Sequence, residues 1–392
     1  MSTSRRISVF DSTLRDGEQA PGNAMSPDQK LAIALALEAI GVDTIEAGFP
    51  SSSPSDFEAT KKISEALTRA KFATLNRATP NDIDAAARAG GVDNHELQIM
   101  VTGSDVHLEH KRGFSRAEGL RETVESFRYA RSLGFTDITL AIEDASRGCD
   151  DLLHPLIDAG ISEGAATVTL ADTTGCMVPA EFGALVGRVR SWIPDGTDLS
   201  VHCHNDMGLS LANALVAIEA GADVVQCTLA GIGERTGNTP LEELVALLTY
   251  KADEIGAHTD VDAAGLYQVY LLLQRSIGLV TSSSKPVFGA NAFATEAGIH
   301  QAGIMRHPIT YEYVEPHRFG RERTILVGRH SGRNVIRHLL REMGAATEKE
   351  LEEDTYQQYI ANRRDRDCIS IGELRDILSS RLAARTSTVA AS

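Results

Sequence analysis

The stretch that decides the fold spans residues 198–220 and reads DLSVHCHNDMGLSLANALVAIEA. Its first residues are typical of a short buried strand, and residues 209–220 have the pattern of a helix. His202 and His204 end the strand and point to the same face, because the side-chain period of a strand is two. Two imidazoles about 6–7 Å apart on one face can bind a divalent metal ion. Such a pair also arises by chance, so its surroundings must decide whether it forms a site.

The same strand-then-helix pattern occurs eight times in the first 255 residues. The predicted strands are Ile7–Phe10, Asp43–Ala47, Phe72–Leu75, Leu97–Val101, Asp137–Ile142, Thr167–Ala171, Leu199–Cys203 and Asp223–Thr228. The predicted helices are Pro27–Ile40, Pro54–Leu67, Asn81–Ala89, Arg116–Leu133, Asp150–Glu163, Pro179–Trp192, Leu209–Ala220 and Leu241–Ile255. Eight such units over this length predict an α/β fold, a (β/α)8 TIM barrel. A doubly wound open sheet is the alternative.

Charged and polar residues follow most of the predicted strands. Examples are Asp11–Gln19 after the first strand, Glu46 to Pro50 after the second, Arg77 after the third, Glu143 and Asp144 after the fifth, Asp172 to Thr174 after the sixth and Gly231–Asn238 after the eighth. In a barrel these segments converge on the C-terminal mouth, where active sites of this fold lie. The pattern therefore favours the barrel and predicts a functional site at its mouth.

The last third of the chain has a different pattern. A Ser-rich break at Thr281–Pro286 indicates a boundary, and helical patterns follow near Arg333–Met343, Thr347–Ala361 and Leu374–Leu382. We predict a catalytic barrel over residues 1–275, a small, mostly helical C-terminal subdomain over 276–385 and a disordered tail over 386–392.

Composition narrows the functional class. The 392 residues are 42% hydrophobic and 23% charged, with a net charge of −16. This negative charge disfavours nucleic acid and anionic membrane surfaces as partners. No apolar run approaches the roughly 18–20 residues of a membrane span, and residues 1–6 lack a signal-peptide pattern. Five cysteines without a CxxC pair predict reduced thiols and a cytoplasmic location.

Three motifs occur together and in a fixed order. They are Asp11-Ser-Thr-Leu-Arg15-Asp16-Gly-Glu-Gln19, His202-x-His204-Asn-Asp-x-Gly208 and Gly231-x-Gly-Glu-Arg-x-Gly-Asn238. Over roughly residues 5 to 375 the sequence resembles the 2-isopropylmalate synthase/homocitrate synthase family, the acetyl-CoA-dependent alkylmalate synthases among the DRE-TIM metallolyases. The resemblance implies a Claisen condensation of acetyl-CoA with a 2-oxo acid, which gives a 2-alkylmalate and CoA. It also implies a divalent metal (Mg, Mn, Zn or Co) and a homodimer.

The resemblance also implies roles for individual residues. Asp16, His202, His204 and Asn238 would bind the metal, and Arg15 would stabilise the oxygen of the keto group. Glu143 and Thr173 would hydrogen-bond the oxo acid, for which Arg77 is a further candidate. His300 and Tyr311 would serve acetyl-CoA activation and hydrolysis, reaching the site from the neighbouring subunit.

Structural alternatives exist for several of these residues. Asn238 could instead cap the helix that begins near Leu241, and Glu143 could be an ion-pair partner of Arg77. His300 could be a core histidine. The neighbouring Tyr313 is an alternative candidate for the role given to Tyr311. The basic residues His107, His110 and Lys111 could contact a substrate or form a solvated loop, and Cys203 is expected in the core.

The loop Gly48–Phe57 resembles the isopropylmalate synthase version of the family. The chain ends after the helical subdomain, so we expect a synthase without the C-terminal regulatory domain that many such enzymes carry. The alternatives are a homocitrate synthase and a citramalate or phosphonomethylmalate-type synthase of specialised metabolism. An acyl-CoA lyase of the same superfamily and a non-catalytic binding barrel are the remaining classes.

Overall fold

The computed structural model describes residues 4–364 and 367–390. The chain divides into two compact units, Met1–Val280 and Thr281–Ser392. The predicted boundary at residue 275 falls inside a helix, Leu266–Ile277, that belongs to the first unit. That helix is held there by Gln29, whose Nε2 donates to the carbonyl of Ser276 at 2.9 Å.

Eight parallel strands form a closed barrel in the first unit. They are β1 (Ser8–Asp11), β2 (Thr44–Gly48), β3 (Lys71–Arg77), β4 (His95–Thr102), β5 (Ile138–Glu143), β6 (Thr167–Asp172), β7 (Asp198–Cys203) and β8 (Val224–Cys227). Each strand pairs with the next, and β1 also pairs with β8. The predicted barrel is therefore confirmed, and an open sheet is excluded.

Helices cover the outside of this barrel. They are α1 (Pro27–Ala39), α2 (Pro54–Ala66), α3 (Pro80–Gly90), α4 (Arg116–Ser132), α5 (Asp150–Ser162), α6 (Pro179–Trp192), α7 (Ser210–Glu219), α8 (Leu241–Tyr250) and α9 (Leu266–Ile277). Proline at the first turn starts α1, α2, α3 and α6. The eighth predicted helix is broken at Lys251, where φ is −123°, and continues as a short turn, Ala252–Ile255. Helix α9 was not predicted; it begins without a capping side chain.

The second unit has its own core. Helices α10 (Gly298–Arg306), α11 (Arg333–Glu342), α12 (Lys349–Tyr356) and α13 (Ile371–Ala390) accompany a three-stranded sheet of β9 (Ala294–Thr295), β10 (Thr324–Val327) and β11 (Ile369–Ser370). Nine apolar side chains form the core: Val327, Val335, Ile336, Leu339, Leu340, Leu351, Ile360, Leu374 and Leu378. The helical character is as predicted, whereas strands of two to four residues are too short to show a period in the sequence. Helix α13 extends to Ala390, past the predicted start of the tail at residue 386; residues 391 and 392 lie outside the described range.

No helix in the described ranges is long and apolar enough to cross a membrane.

Candidate active site at the barrel mouth

A cavity of about 400 Å³ opens at the C-terminal ends of the barrel strands. It is lined by seven of the residues predicted for the site: Arg15, Asp16, Arg77, Glu143, Thr173, His202 and His204. The predicted convergence of the loops that follow the strands is therefore observed.

Asp16, His202 and His204 bring three ligand atoms together in this cavity. The Nε2 atoms of the two histidines are 3.3 Å apart, and Asp16 Oδ2 lies 3.7 and 3.8 Å from them. All three side chains are buried. One carboxylate and two imidazoles at this spacing suit a divalent transition metal and leave further positions for a substrate.

The electrostatics of the three groups match that use. Burial, with His204 nearby, lowers the pKa of His202 to about 3, and burial also lowers the pKa of His204. Burial alone would raise the pKa of Asp16, but the Arg15 guanidinium and the two imidazoles outweigh it and hold that pKa well below its usual range. Neutral imidazoles beside an ionised carboxylate are the forms that bind a metal.

Asn238 lies beside this cluster and does not cap α8, whose N-cap is Pro240. An isolated bridge pairs Asn238 with His204, and Asn238 Nδ2 donates to Asp16 Oδ1 at 2.7 Å. Among the described residues, Asn238 Oδ1 and His204 Nδ1 are buried side-chain atoms without a hydrogen-bond partner. A buried acceptor that is unsatisfied at this point fits a further metal ligand.

Arg15 joins the cluster to the barrel interior. Its Nη1 donates to Asp16 Oδ2 at 2.7 Å, and its Nε donates to Glu46 Oε2 at 2.8 Å. Ser12 donates to the same oxygen of Glu46. Burial raises the pKa of Glu46, and Arg15 opposes that effect. Among the described residues Arg15 Nη2 makes no hydrogen bond, so this end of the guanidinium is left for a ligand.

Glu143 does not pair with Arg77, contrary to the structural alternative considered for it. Lys111 Nζ lies 2.6 and 2.7 Å from its two oxygens, and His107 Nδ1 lies 3.3 Å from Oε2. Arg77 instead forms a two-point ion pair with Asp82, at 2.8 and 2.9 Å. The sequence separations of the loops do not reveal which of these groups meet in space.

The basic residues of the loop after β4 differ in their contacts. His107 and Lys111 contact Glu143, whereas His110 is exposed. Thr173 accepts a hydrogen bond from the backbone of Asp144 at 2.8 Å, so its own hydroxyl proton is free to point elsewhere. Cys203 is buried, as expected.

The cavity is also lined by apolar side chains. Leu75, Met100, Ala141, Ile142 and Ala171 line it, together with Phe49 from the second loop. The Phe49 N–H donates to Asp56 Oδ2 at 3.0 Å, and the fully buried Lys30 binds Asp56 at 2.5 Å. A buried ion pair thus holds the loop that carries Phe49.

Sequence reasoning gave no role to three polar residues under the site: it named Glu46 only as part of the segment after the second strand, and it did not consider Gln98 and Gln226. Each is buried within a barrel strand. Their signal was a large polar side chain at a position where the strand is buried, which in a barrel interior requires a hydrogen-bond partner.

His300 and Tyr311 belong to the second unit. Their rings are 4.2 Å apart, and both side chains are exposed within the unit, Tyr311 at 50%. His300 is therefore not a core histidine. The ring that contacts it is that of Tyr311.

Fold and site together define a class: closed (β/α)8 barrels with one carboxylate and two imidazoles converging at the C-terminal mouth. Residues 6–272 match the HMGL-like family model, and residues 287–365 match that of the homocitrate synthase post-HMGL domain. An HMG-CoA lyase from Acinetobacter baumannii, solved with coenzyme A and 3-methylmalate, has a TM-score of 0.62 and 25% identity, covering 72% of this chain and 94% of that one.

Two relatives extend the match across both units. The 2-isopropylmalate synthase of Sediminispirochaeta smaragdinae is 43% identical over 363 residues, 91% of this chain and 72% of that protein. The corresponding enzyme of Syntrophus aciditrophicus is 42% identical over 347 residues, 88% of this chain and 67% of that protein. The chain belongs to the 2-isopropylmalate synthase family of acetyl-CoA-dependent alkylmalate synthases.

Proposed function

We propose that the chain condenses acetyl-CoA with a 2-oxo acid that has a short apolar side chain, 2-oxoisovalerate, at the barrel mouth. The observation that carries this proposal is the convergence of Asp16, His202 and His204 beside Arg15, in a cavity that apolar side chains also line. The polar side holds the oxo-acid head, and the wall formed by Leu75, Met100 and Ala141 receives the side chain. Amino-acid biosynthesis and a cytoplasmic location agree with this role and stay predictions.

A divalent metal would be held by Asp16, His202 and His204, with Asn238 as a further ligand, and when bound it supplies Lewis-acid polarisation of the keto group. Arg15 directs its free Nη2 at the keto oxygen and stabilises the negative charge that develops there. Glu143 and Thr173 hydrogen-bond the oxo acid and orient it.

The reaction has two bond-forming steps. The acetyl methyl group loses a proton, its carbon forms a C–C bond with the keto carbon, and the keto oxygen becomes an alcohol. Water then forms a C–O bond with the thioester carbon, the C–S bond breaks, and CoA leaves as a thiol. We assign His300 and Tyr311 to the proton transfers, in a homodimer whose subunits complete each other's site. Their ring contact would keep the phenol and the imidazole together.

The test is release of CoA thiol from acetyl-CoA, with added Mg²⁺ or Mn²⁺, across a panel of oxo acids. The panel contains 2-oxoisovalerate, 2-oxoglutarate, pyruvate, phenylpyruvate and phosphonopyruvate. We expect the highest kcat/KM with 2-oxoisovalerate. If another oxo acid gives the highest kcat/KM, the proposed identity of the acceptor is wrong. If no oxo acid of the panel leads to thiol release, the proposed reaction is wrong.

A pair of matched variants tests the site itself. His204→Ala should lose bound metal and lower turnover by orders of magnitude, because it removes a buried imidazole of the cluster. His110→Ala, at an exposed histidine on a neighbouring loop, should keep both. Equal metal content and turnover in the two variants would contradict the assignment of the cluster as the metal site. Sedimentation of a fully active monomer would contradict the homodimer.

A further inference from the structure

A polar layer crosses the barrel interior directly beneath the site. Glu46 on β2, Gln98 on β4, Thr169 on β6 and Gln226 on β8 come from alternate strands, as one layer of a barrel interior does. All four are buried, with between 0% and 3% of their surface exposed. Each must therefore find its partners within the barrel.

The side chains of this layer form a continuous chain of hydrogen bonds. Gln98 Nε2 donates to Glu46 Oε1 at 3.0 Å, and Gln226 Nε2 donates to Gln98 Oε1 at 3.1 Å. Gln226 Oε1 then meets His202 Nδ1 at 3.0 Å. Gln226 is also the register partner of His202 on the adjacent strand, so the last bond is fixed by the sheet itself.

The direction of every bond follows from the carboxylate at one end. Glu46 is the carboxylate partner of the Arg15 guanidinium and of the Ser12 hydroxyl, so it accepts only, and Gln98 must turn its NH₂ group toward it and its carbonyl toward Gln226. Gln226 must then present its NH₂ group to Gln98 and its carbonyl to His202. Only a protonated Nδ1 satisfies that carbonyl, so the lone pair of His202 lies on Nε2, which faces Asp16 and His204.

We propose that Glu46, Gln98 and Gln226 are positioning residues that set the tautomer of His202 through this one-directional chain of hydrogen bonds. The inference rests on the proposed function, because Nε2 is the atom that would bind the metal. A partner that fixes the tautomer of a ligating histidine contributes about 10- to 100-fold in metal affinity.

The substitution Glu46→Gln reverses the direction of this series of hydrogen bonds, and the side chain at position 46 keeps its shape. Arg15 Nε and the Ser12 hydroxyl still require an acceptor, so the new amide turns its carbonyl to them and its NH₂ group to Gln98. Gln98 and Gln226 must both flip, and the NH₂ group of Gln226 then meets His202 Nδ1. His202 is forced to carry its proton on Nε2, which removes the lone pair from the site.

The double variant Glu46→Gln/Gln226→Glu restores the original direction at His202. The carboxylate at position 226 accepts from Gln98 on one side and from His202 Nδ1 on the other. It does not replace the charge that Arg15 loses at position 46. Recovery in the double variant would therefore separate the tautomer effect from a simple loss of charge.

The first readout is the tautomer of His202 in metal-free, full-length protein labelled with ¹⁵N-histidine. Long-range proton–nitrogen NMR reports it, and His202→Gln assigns the signal. We expect Nδ1–H in the natural chain, Nε2–H in E46Q and Nδ1–H again in E46Q/Q226E. An Nε2–H signal in the natural chain overturns the proposal even if no variant folds.

The second readout is Mn²⁺ affinity by chelator competition. E46Q should bind Mn²⁺ about 10- to 100-fold more weakly, and the double variant should regain most of the loss. Glu96→Gln is the control, because Glu96 is also buried on β4 but bonds to Thr139 and Thr44 instead of the layer. A tautomer that switches while Mn²⁺ affinity stays constant contradicts the role toward the metal. The tautomer is measured without metal or substrate. The proposal about the tautomer can therefore be correct even if the proposed reaction is wrong.

Discussion

His204 Nδ1 and Asn238 Oδ1 are the two atoms at the cluster that burial leaves without partners among the described residues. His202 differs, because Gln226 satisfies its Nδ1. Two histidines at a spacing of two therefore have unequal supports. The barrel interior fixes His202, whereas His204, at the end of β7, is held by the adjoining loop through Asn238.

His95 gives the residue-scale prediction, on pH and stability. It is buried against Phe72 and Phe135, and burial lowers its pKa to about 4. His95 therefore binds a proton near pH 6.5 in the unfolded chain but only near pH 4 in the folded chain. The free energy of unfolding consequently falls as the pH falls between these values. Between pH 7 and pH 5 this loss is about 2 kcal/mol.

The variant His95→Gln should lack this loss. Denaturant unfolding, followed by the single tryptophan Trp192 in α6, measures the difference between the two proteins at each pH. Asp11 and Glu96, whose pKa burial raises to about 7, contribute with the opposite sign, but they titrate in both proteins and cancel. A constant difference across this pH range would contradict the buried neutral histidine.

The loop after β8 is the element that closes the metal cluster. Gly231–Asn238 passes so close to Asp16 that a Cβ on Gly233 would stand 2.6 Å from Asp16 Oδ1 and would overlap Asn238 Nδ2. Arg235 holds the outer side of the loop, through Asp206 at 2.8 Å and the carbonyl of Thr173 at 2.6 Å. The glycine is required there because no side chain fits between the loop and the carboxylate.

At this scale we predict that Gly233→Ala weakens Mn²⁺ binding by about 10- to 100-fold, since it displaces Asp16 and Asn238. Chelator competition measures the affinity. The control is Gly187→Ala in α6, where an added Cβ meets no atom within 4 Å. That change should leave the affinity unchanged and add up to about 1 kcal/mol of helix stability. Unchanged affinity in Gly233→Ala would place the metal elsewhere.

At the scale of the whole molecule, the barrel could be predicted from sequence because its strand–helix repeats carry local signals: a buried strand in each, a polar residue after most of the strands, and Pro at the start of four helices. Asp16, His202 and His204 could be named from sequence because they lie in two of the three motifs that carry the family resemblance. The pairs Glu143–Lys111 and Arg77–Asp82 could not, because spacing along the chain does not tell which loops meet. The layer of Glu46, Gln98 and Gln226 escaped for a similar reason, since each is one polar residue in a different strand.

The second unit lends itself to the final prediction, because its core is its own. Leu339 is fully buried among the apolar side chains of that core. Leu339→Ala should cost about 2–5 kcal/mol there. We expect the unit's helices to unfold at lower denaturant by circular dichroism, while the Trp192 transition and Mn²⁺ affinity, which report on the barrel, stay unchanged.

Turnover in Leu339→Ala should nevertheless fall once the second unit unfolds, because His300 and Tyr311 lie in it. Activity measured across the denaturant range where only the second unit is lost separates the two contributions. If turnover persists there, His300 and Tyr311 have no part in the reaction. If the Trp192 transition moves together with circular dichroism, the two units unfold as one, and the barrel depends on the second unit for its stability.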